Sequence, residues 1–259
     1  MSSEPVRHTV DAFHRGNFWL VQPKGSGHRA GVDAMILAAS LPSDFSGAVA
    51  DFGAGAGAAG LAVVSRCAAA TVTLVEQSPE MAGFAALTLN FEGNAHLRDR
   101  AALLVADVAL TGRAREAAGL AAASFDAVIM NPPFNPARDR MTPDGLKQQA
   151  HVMGDGLFEA WLRSASAVVR PRGLVSIIAR PISIGPILDA LKGRFGGAEI
   201  LPVHARGDQP AIRIVVRARR ASRAPLALCP PLILHDTAGD GFSARADAIN
   251  NGKASLLGD

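Results

Sequence analysis

A glycine-rich turn between a short apolar strand and an apolar helix limits the fold of this 259-residue chain more than any other feature. Residues 49–52 predict the strand, residues 53–60 form the turn, and residues 61–70 predict the helix. Glycine lets a backbone turn tightly and approach a ligand closely. A second predicted strand, residues 71–75, ends at Glu76. This strand–helix–strand order predicts a doubly wound α/β fold that binds a ligand at the carboxyl ends of its strands.

The acids around this turn distinguish two classes of nucleoside cofactor. Residues 55–60 fit G-x-G-x-x-G, so an NAD-dependent oxidoreductase is one alternative. Glu76 is placed to accept hydrogen bonds from two ribose hydroxyls. Asp51 would repel a pyrophosphate, but it suits the cationic amino acid end of S-adenosylmethionine. The sequence therefore favours S-adenosylmethionine, whose amino acid and ribose we expect to be lined by Gly53, Gly55 and Gly57.

Two further acids are candidate cofactor contacts. A third predicted strand, residues 102–106, ends at Asp107, which can accept a hydrogen bond from an adenine amino group or instead cap a helix. A basic, glycine-rich loop at residues 24–29 precedes the first cofactor strand. If it folds over the cofactor, Asp33 lies near the cofactor and Arg29 near the substrate. A solvated loop with an ordinary helix cap at Asp33 is equally compatible with these residues.

The tetrapeptide Asn131-Pro132-Pro133-Phe134 directly follows a fourth predicted strand, residues 125–130. Its prolines donate no backbone hydrogen bond and fix the chain as it leaves the sheet. The amide oxygen of Asn131 and the carbonyl of Pro132 can accept both hydrogens of an NH2 group, and Phe134 can stack on a ring. We therefore predict catalytic roles for these three residues and a substrate contact for Pro133. A strand-ending turn with one buried aromatic is the structural alternative.

The remaining pattern predicts a mostly parallel, seven-stranded sheet. Further strands are expected at residues 174–179, 199–204 and 212–217, and the last two would close the sheet with an antiparallel edge strand. Residues 135–154 are expected to form a polar loop before a helix. The predicted organisation is an N-terminal strand and lid segment (1–47), a catalytic domain (48–234) and a loosely ordered tail with one short helix (235–259).

Composition excludes several classes of protein. Hydrophobic residues make up 49% of the chain and charged residues 19%, which is typical of a well-packed globular protein. Cys67 and Cys229 lie in apolar surroundings, which predicts buried thiols in a reducing cytoplasm. No histidine and cysteine cluster has zinc spacing, and no apolar run has the length of a membrane span. We therefore expect a cytoplasmic protein without a metal or a membrane partner.

The motifs together resemble a known class of enzymes. D-x-G-x-G-x-G at residues 51–57, an acid after the second strand and N-P-P-F after the fourth resemble the class I S-adenosylmethionine-dependent methyltransferases. In that class, N-P-P-[FYW] marks enzymes that methylate an exocyclic or amide nitrogen. The chain is similar to the bacterial tRNA(Val) adenine-N6 methyltransferase family over about residues 16–250, including His151 after the tetrapeptide. This resemblance implies methylation of adenine N6 in tRNA, with His151 near the substrate.

A basic segment late in the chain is a candidate RNA-binding surface. Arginine is frequent between His204 and Ala224, where Asp208 is the only acid, and the segment is densest around Arg217, Arg219 and Arg220. Such a surface would hold an RNA backbone, whereas a solvated edge strand protected by charge is the alternative. The net charge of +3 permits a nucleic-acid partner, and the sequence leaves the oligomeric state open.

Other acceptors and activities fit the same motifs. Glutamine-N5 methylation of a protein such as a release factor uses the tetrapeptide, but those enzymes usually carry a longer helical segment before the cofactor fold. Guanine-N2 methylation of ribosomal RNA is chemically close, but its enzymes usually have a duplicated domain. A non-catalytic RNA-binding module belongs to a different functional class.

Overall fold

The computed structural model describes residues 8–24, 30–133, 143–236 and 239–258, without the side chains of 143–155. The chain begins with an antiparallel hairpin of β1 (His8–Phe13) and β2 (Phe18–Pro23). The hairpin packs on the body of the protein, since the Val21 N–H donates to Thr88 Oγ1 at 3.0 Å. The predicted N-terminal strand is therefore one half of a hairpin.

A nine-stranded sheet forms the centre of the described structure. In chain order its strands are β3 (Gly47–Phe52), β4 (Ala70–Glu76), β5 (Ala101–Val105), β6 (Phe125–Met130), β7 (Val169–Ala179), β8 (Phe195–His204), β9 (Ala211–Arg220), β10 (Ala227–Leu228) and β11 (Leu232–Ile233). The spatial order is β5-β4-β3-β6-β7-β9-β8, and the two short strands β10 and β11 both pair with β8. The mostly parallel α/β sheet is thus confirmed.

The sequence predicts an antiparallel strand at the edge of the sheet. In the structure the antiparallel strand is β9, which lies inside the sheet. β9 runs antiparallel to β7 on one side and to β8 on the other. β8 therefore returns to the direction of the parallel strands and covers β9 on its outer side. The strand pair was predicted, but the sequence pattern did not show which member of the pair would be inserted into the sheet.

Helices cover both faces of the sheet. They are α1 (Val32–Ala38), α2 (Ala58–Arg66), α3 (Pro79–Asn90), α4 (Gly112–Ala117), α5 (Pro143–Val168), α6 (Ile184–Leu191) and α7 (Ala244–Asn250), with 3₁₀ turns at Glu92–Arg100 and Pro181–Ser183. One core lies beneath α1 and α2, and the other lies beneath α5 and α6. No helix of the described ranges is both long and apolar enough to cross a membrane.

Two segments differ from their predicted structure. α5 begins at Pro143, within the predicted polar loop, because residues 146–150 favour a helix and proline is tolerated in its first turn. The C-terminal segment does contain one short helix, α7, but it is not a loose tail. Ile249 and Leu256 are buried in the core beneath α1, and the Leu256 N–H donates to the Ala39 carbonyl at 2.6 Å.

Candidate functional site

The carboxyl ends of three neighbouring strands meet where the strand order reverses. Phe52 at the end of β3 pairs with Val75 of β4 on one side and with Met130 of β6 on the other. Gly53, Glu76 and Asn131 follow these positions. They therefore lie in a row along the edge of the sheet that the carboxyl ends of the parallel strands form. Ligands of doubly wound folds bind at this kind of switch point.

The glycine-rich turn is fixed by backbone hydrogen bonds and by packing. The Gly53 N–H donates to the Val75 carbonyl at 2.9 Å. A Cβ at Gly53 would lie 2.7 Å from the ring of Trp161, and a Cβ at Gly57 would lie 2.7 Å from Leu74. Both residues also have positive φ, 68° and 95°. Internal packing thus requires these two glycines. That Trp161 of α5 is the neighbour of the turn could not be predicted from the residues around Gly53.

Gly55 differs from Gly53 and Gly57. The nearest atom to a Cβ there is Cε of Met81 at 3.7 Å, so the position is not filled by packing. Its N–H donates to Glu76 Oε2 at 2.8 Å, and the Ser78 N–H donates to Glu76 Oε1 at 2.8 Å. Two backbone donors therefore orient the Glu76 carboxylate at the strand end, and each of its oxygens can accept a further hydrogen bond.

Two other acids bond to nearby backbone groups. Asp107 Oδ1 accepts a hydrogen bond from the Ala109 N–H at 2.8 Å, which stabilises the turn after β5. Asp51 is 2% exposed, and its Oδ2 accepts from the Gly60 N–H in the first turn of α2 at 2.8 Å. In the described structure Asp51 therefore supports the cofactor turn from behind. Its contact with the methionine end of the cofactor stays a prediction.

Burial makes Asp51 a pH-sensitive group. Desolvation raises the pKa of its carboxyl to about 7; the Gly60 hydrogen bond opposes this shift and the charge of Glu76 adds to it. Between the unfolded value of 3.8 and about 7, the folded protein binds a proton that the unfolded chain has released. The contribution of Asp51 to stability therefore falls as pH rises through this window. Above the window the folded state carries the full cost of burying an ionised carboxylate.

Asp51→Asn is expected to remove this dependence. The slope of the unfolding free energy against pH between about 5 and 7 should become less negative by up to about 1.4 kcal/mol per pH unit. Urea unfolding at several pH values measures it, with the exposed Asp208→Asn as the control that keeps the wild-type slope. An Asp51→Asn protein with the wild-type slope would show that Asp51 is ionised across the whole window.

Asn131 holds the most informative atom of the site. Its Oδ1 is buried and has no hydrogen-bond partner among the residues that the structure describes. Buried polar side-chain atoms are normally paired, so an unpaired acceptor at a ligand-binding edge is suited to a donor from a ligand. Pro132 is buried and Pro133 is exposed. Phe134 and Arg29 lie outside the described residues, as does the side chain of His151 in α5.

Comparison with known proteins identifies the family. Residues 26–201 match the model of the methyltransferase small domain family. The chain belongs to this family. A solved structure from Agrobacterium tumefaciens, described as a predicted O-methyltransferase, is 42% identical over 86% of this chain and 98% of that chain, with a TM-score of 0.76. No curated protein matches the sequence.

More distant structures show the same fold. The 16S rRNA N2 G1207 methyltransferase RsmC of T. thermophilus, solved with AdoMet and guanosine, has a TM-score of 0.51 and 20% identity over 85% of this chain and 52% of that chain. The tRNA (m1A58) methyltransferase TrmI of Aquifex aeolicus has a TM-score of 0.51 and 16% identity over 76% of this chain and 72% of that chain.

Methyltransferases of this family use S-adenosylmethionine, as the sequence predicted. The residues at the switch point fit this cofactor. The space beside the Gly55 backbone is not filled by side chains, and two backbone N–H groups orient the Glu76 carboxylate at the end of β4. Within the described ranges, no three His, Cys, Asp or Glu side chains form a group that could hold a metal ion.

Asp33 of the methyltransferase is tied to the sheet. Its Oδ2 accepts a hydrogen bond from Arg213 Nε at 2.8 Å, and both side chains are about three-quarters buried. The N-cap of α1 is Gly31, and it makes no side-chain cap bond. The predicted alternative of a helix cap at Asp33 is therefore wrong. The ion pair fixes the start of α1 against β9, and the predicted cofactor contact of Asp33 stays a prediction.

The arginines predicted to bind RNA differ in their surroundings. Arg217 is 3% exposed; its Nε donates to Glu199 Oε2 at 2.8 Å and its Nη1 to the Ser40 carbonyl at 3.1 Å. A guanidinium enclosed in this way is not positioned to contact RNA. Arg219 pairs with Leu174 in the middle of β7, and Arg220 pairs with Phe195 at the amino end of β8.

Strand direction explains where these arginines lie. Asn131 follows the carboxyl end of β6, but β9 is antiparallel to β7 and carries its own carboxyl end to the opposite edge of the sheet. The RNA contacts of Arg219 and Arg220 stay a prediction, at a distance from Asn131.

Proposed function

We propose that this protein methylates an exocyclic amino nitrogen, specifically N6 of an adenine in tRNA. The unpaired, buried Oδ1 of Asn131 carries the proposal, because it lies beside the cofactor turn at the switch point. An amino group has two hydrogens, and the Pro132 carbonyl is the second acceptor of the motif. The cytoplasmic location and the tRNA partner belong to the same proposal.

The chemistry needs acceptors more than it needs a strong base. Adenine N6 is a weak nucleophile because its lone pair is delocalised into the ring. Acceptors at Asn131 and Pro132 favour a pyramidal nitrogen and stabilise the positive charge that develops during transfer. When bound, the cofactor supplies an electrophilic methyl group on a sulfonium. Asn131 and Pro132 would hold the amino group in line with that methyl group, and the proton that N6 loses after transfer would pass to water.

Positioning supplies much of the remaining rate enhancement. A base in RNA must leave its stack to reach a pocket at the sheet edge. Stacking on Phe134 would hold the extruded base, with a contribution of about 1–3 kcal/mol. Arg29, Pro133 and His151 are the proposed neighbours of the base. Glu76 would hold the cofactor ribose and Asp107 its adenine, with Asp51 near the methionine end and Asp33 near the cofactor.

The choice of adenine and tRNA rests on the sequence resemblance. The similar Agrobacterium protein, described as a predicted O-methyltransferase, favours a hydroxyl acceptor as the second candidate. A hydroxyl presents one hydrogen, so it would use only one of the two acceptors of the motif. Guanine N2 and glutamine N5 each present an amino or amide NH2 group. The same pair of hydrogen-bond acceptors in the motif could therefore bind either of these methylation targets.

Methyl-labelled S-adenosylmethionine separates these candidates. The purified protein is incubated in parallel with total tRNA, ribosomal RNA and a release factor, and the labelled product is digested and identified. We expect label in tRNA as N6-methyladenosine. Label on a ribose oxygen would establish the hydroxyl acceptor, and label on guanine or glutamine would establish the corresponding alternative. Absence of label from tRNA would reject the proposed substrate.

A further inference from the structure

Three exposed arginines lie at the edge of the sheet opposite Asn131. Arg219 is level with Leu174 in the middle of β7 and with Gly196 near the amino end of β8. Arg172 lies in the first, irregular part of β7, where its φ is 69°, and Arg223 follows the end of β9. We call Arg172, Arg219 and Arg223 the amino-edge surface. Their side chains are exposed to solvent.

Nearby acids do not neutralise this surface, because they are already paired. Asp126 accepts a hydrogen bond from Arg170 Nη1 at 2.6 Å. Glu159 is paired with Arg194, with Oε1 and Nη2 2.6 Å apart. Arg170 and Arg194 therefore neutralise these two carboxylates, so the amino-edge surface keeps an excess positive charge. An extended polyanion is the complementary ligand.

The surface is too far from the candidate site to hold the reacting nucleotide. Arg219 is level with Leu174, which pairs with Ala127 of β6. At about 3.3 Å per residue, Asn131 lies about 13 Å further along the strand direction. It also lies two strand spacings to the side, which adds about 10 Å in that direction. A free nucleoside cannot reach both places, whereas a folded RNA can.

We infer that the amino-edge surface binds the phosphate backbone of a structured RNA whose target nucleotide is bound at the opposite edge of the sheet. This inference rests on the proposed function, since it assumes an RNA substrate. It assigns substrate affinity and catalysis to opposite edges of the sheet. A change at the amino edge should therefore raise KM for RNA and leave kcat unchanged.

The test reverses two charges of the surface. Arg172→Glu/Arg219→Glu is compared with Arg113→Glu/Arg163→Glu, which changes two exposed arginines on α4 and α5 outside the surface. Fluorescence anisotropy gives Kd for folded tRNA between about 50 and 200 mM salt. Calorimetric titration with S-adenosylhomocysteine shows whether the cofactor site is intact. Steady-state methylation of tRNA gives KM and kcat.

We expect the surface variant to bind tRNA at least about tenfold more weakly, with a shallower salt dependence because phosphate contacts are lost. The control variant should bind as the wild type does, and both should keep wild-type affinity for S-adenosylhomocysteine. Equal weakening in both variants, or wild-type affinity and KM in the surface variant, would overturn the inference. RNA binding that the surface variant loses, without methylation of any RNA by the wild type, would support the surface and reject the proposed function.

Discussion

Asn131→Ala is expected to lower kcat by about 10²–10³-fold and to leave the affinity for S-adenosylhomocysteine within about twofold of the wild type. Among the described residues the buried Oδ1 has no hydrogen-bond partner, so its removal breaks none of the hydrogen bonds that they make. The lost acceptor would act on the nitrogen as its positive charge develops, so the effect should fall on the chemical step. Single-turnover methylation with saturating substrate measures that step directly.

Asn131→Asp is the matched control for this prediction. Aspartate keeps an acceptor oxygen of nearly the same size at the same place, and when ionised it accepts without donating. We expect this variant to methylate faster than Asn131→Ala at neutral pH. Turnover of the alanine variant at the wild-type rate would remove Asn131 from the mechanism. Equal loss in both variants would show that the amide NH2 group, and not its oxygen, is required.

The row of residues at the switch point could be predicted because it depends on strand ends. Apolar runs ending at Phe52, Val75 and Met130 are visible in the sequence, and parallel strands bring their carboxyl ends to one edge. The start of α3 could also be predicted from neighbouring residues. Ser78 followed by Pro79 is the sequence pattern of a helix start, and the Ser78 Oγ accepts a hydrogen bond from the Met81 N–H at 3.4 Å. Signals that act over a few residues are thus preserved in the fold.

Features that depend on distant partners could not be predicted in this way. Nothing near Gly53 shows that Trp161 fills the space beside it, and nothing near Leu256 shows that it packs against α1. Asp33 pairs with an arginine distant in sequence. Each contact depends on how the helices dock on the sheet, which hydrophobic periodicity does not specify.

Arg217 is the clearest case of a residue whose role follows from its surroundings. Charge density alone grouped it with Arg219 as an RNA-binding residue. Its strand neighbours Val215, Val216 and Ala218 are buried, so the arginine interrupts a core-facing run. An arginine within a buried run must find internal partners, because an unpaired buried charge is costly. The run of apolar neighbours was therefore the signal that separated Arg217 from Arg219.

Arg217→Ala is expected to lower the free energy of unfolding by about 3 kcal/mol. The guanidinium joins Glu199 of β8 to the Ser40 carbonyl after α1, so its removal leaves both acceptors without this donor and opens a cavity. The value falls at the lower end of the range for broken buried pairs, because the Glu199 side chain is 35% exposed and water can solvate it. Urea unfolding gives the free energy, and an unchanged m value confirms the two-state comparison.

Arg219→Ala provides the matched control, since it removes the same side chain from an exposed position of the same strand. It should change the unfolding free energy by no more than about 0.5 kcal/mol. Arg217→Met/Glu199→Gln tests the cause, because it removes both charges and keeps most of the buried volume. The double variant should regain part of the stability that Arg217→Ala loses, since apolar replacement of a buried ion pair is often neutral. If Arg217→Ala is as stable as Arg219→Ala and binds RNA less tightly, Arg217 contacts the substrate. That outcome would contradict a structural role for its ion pair with Glu199.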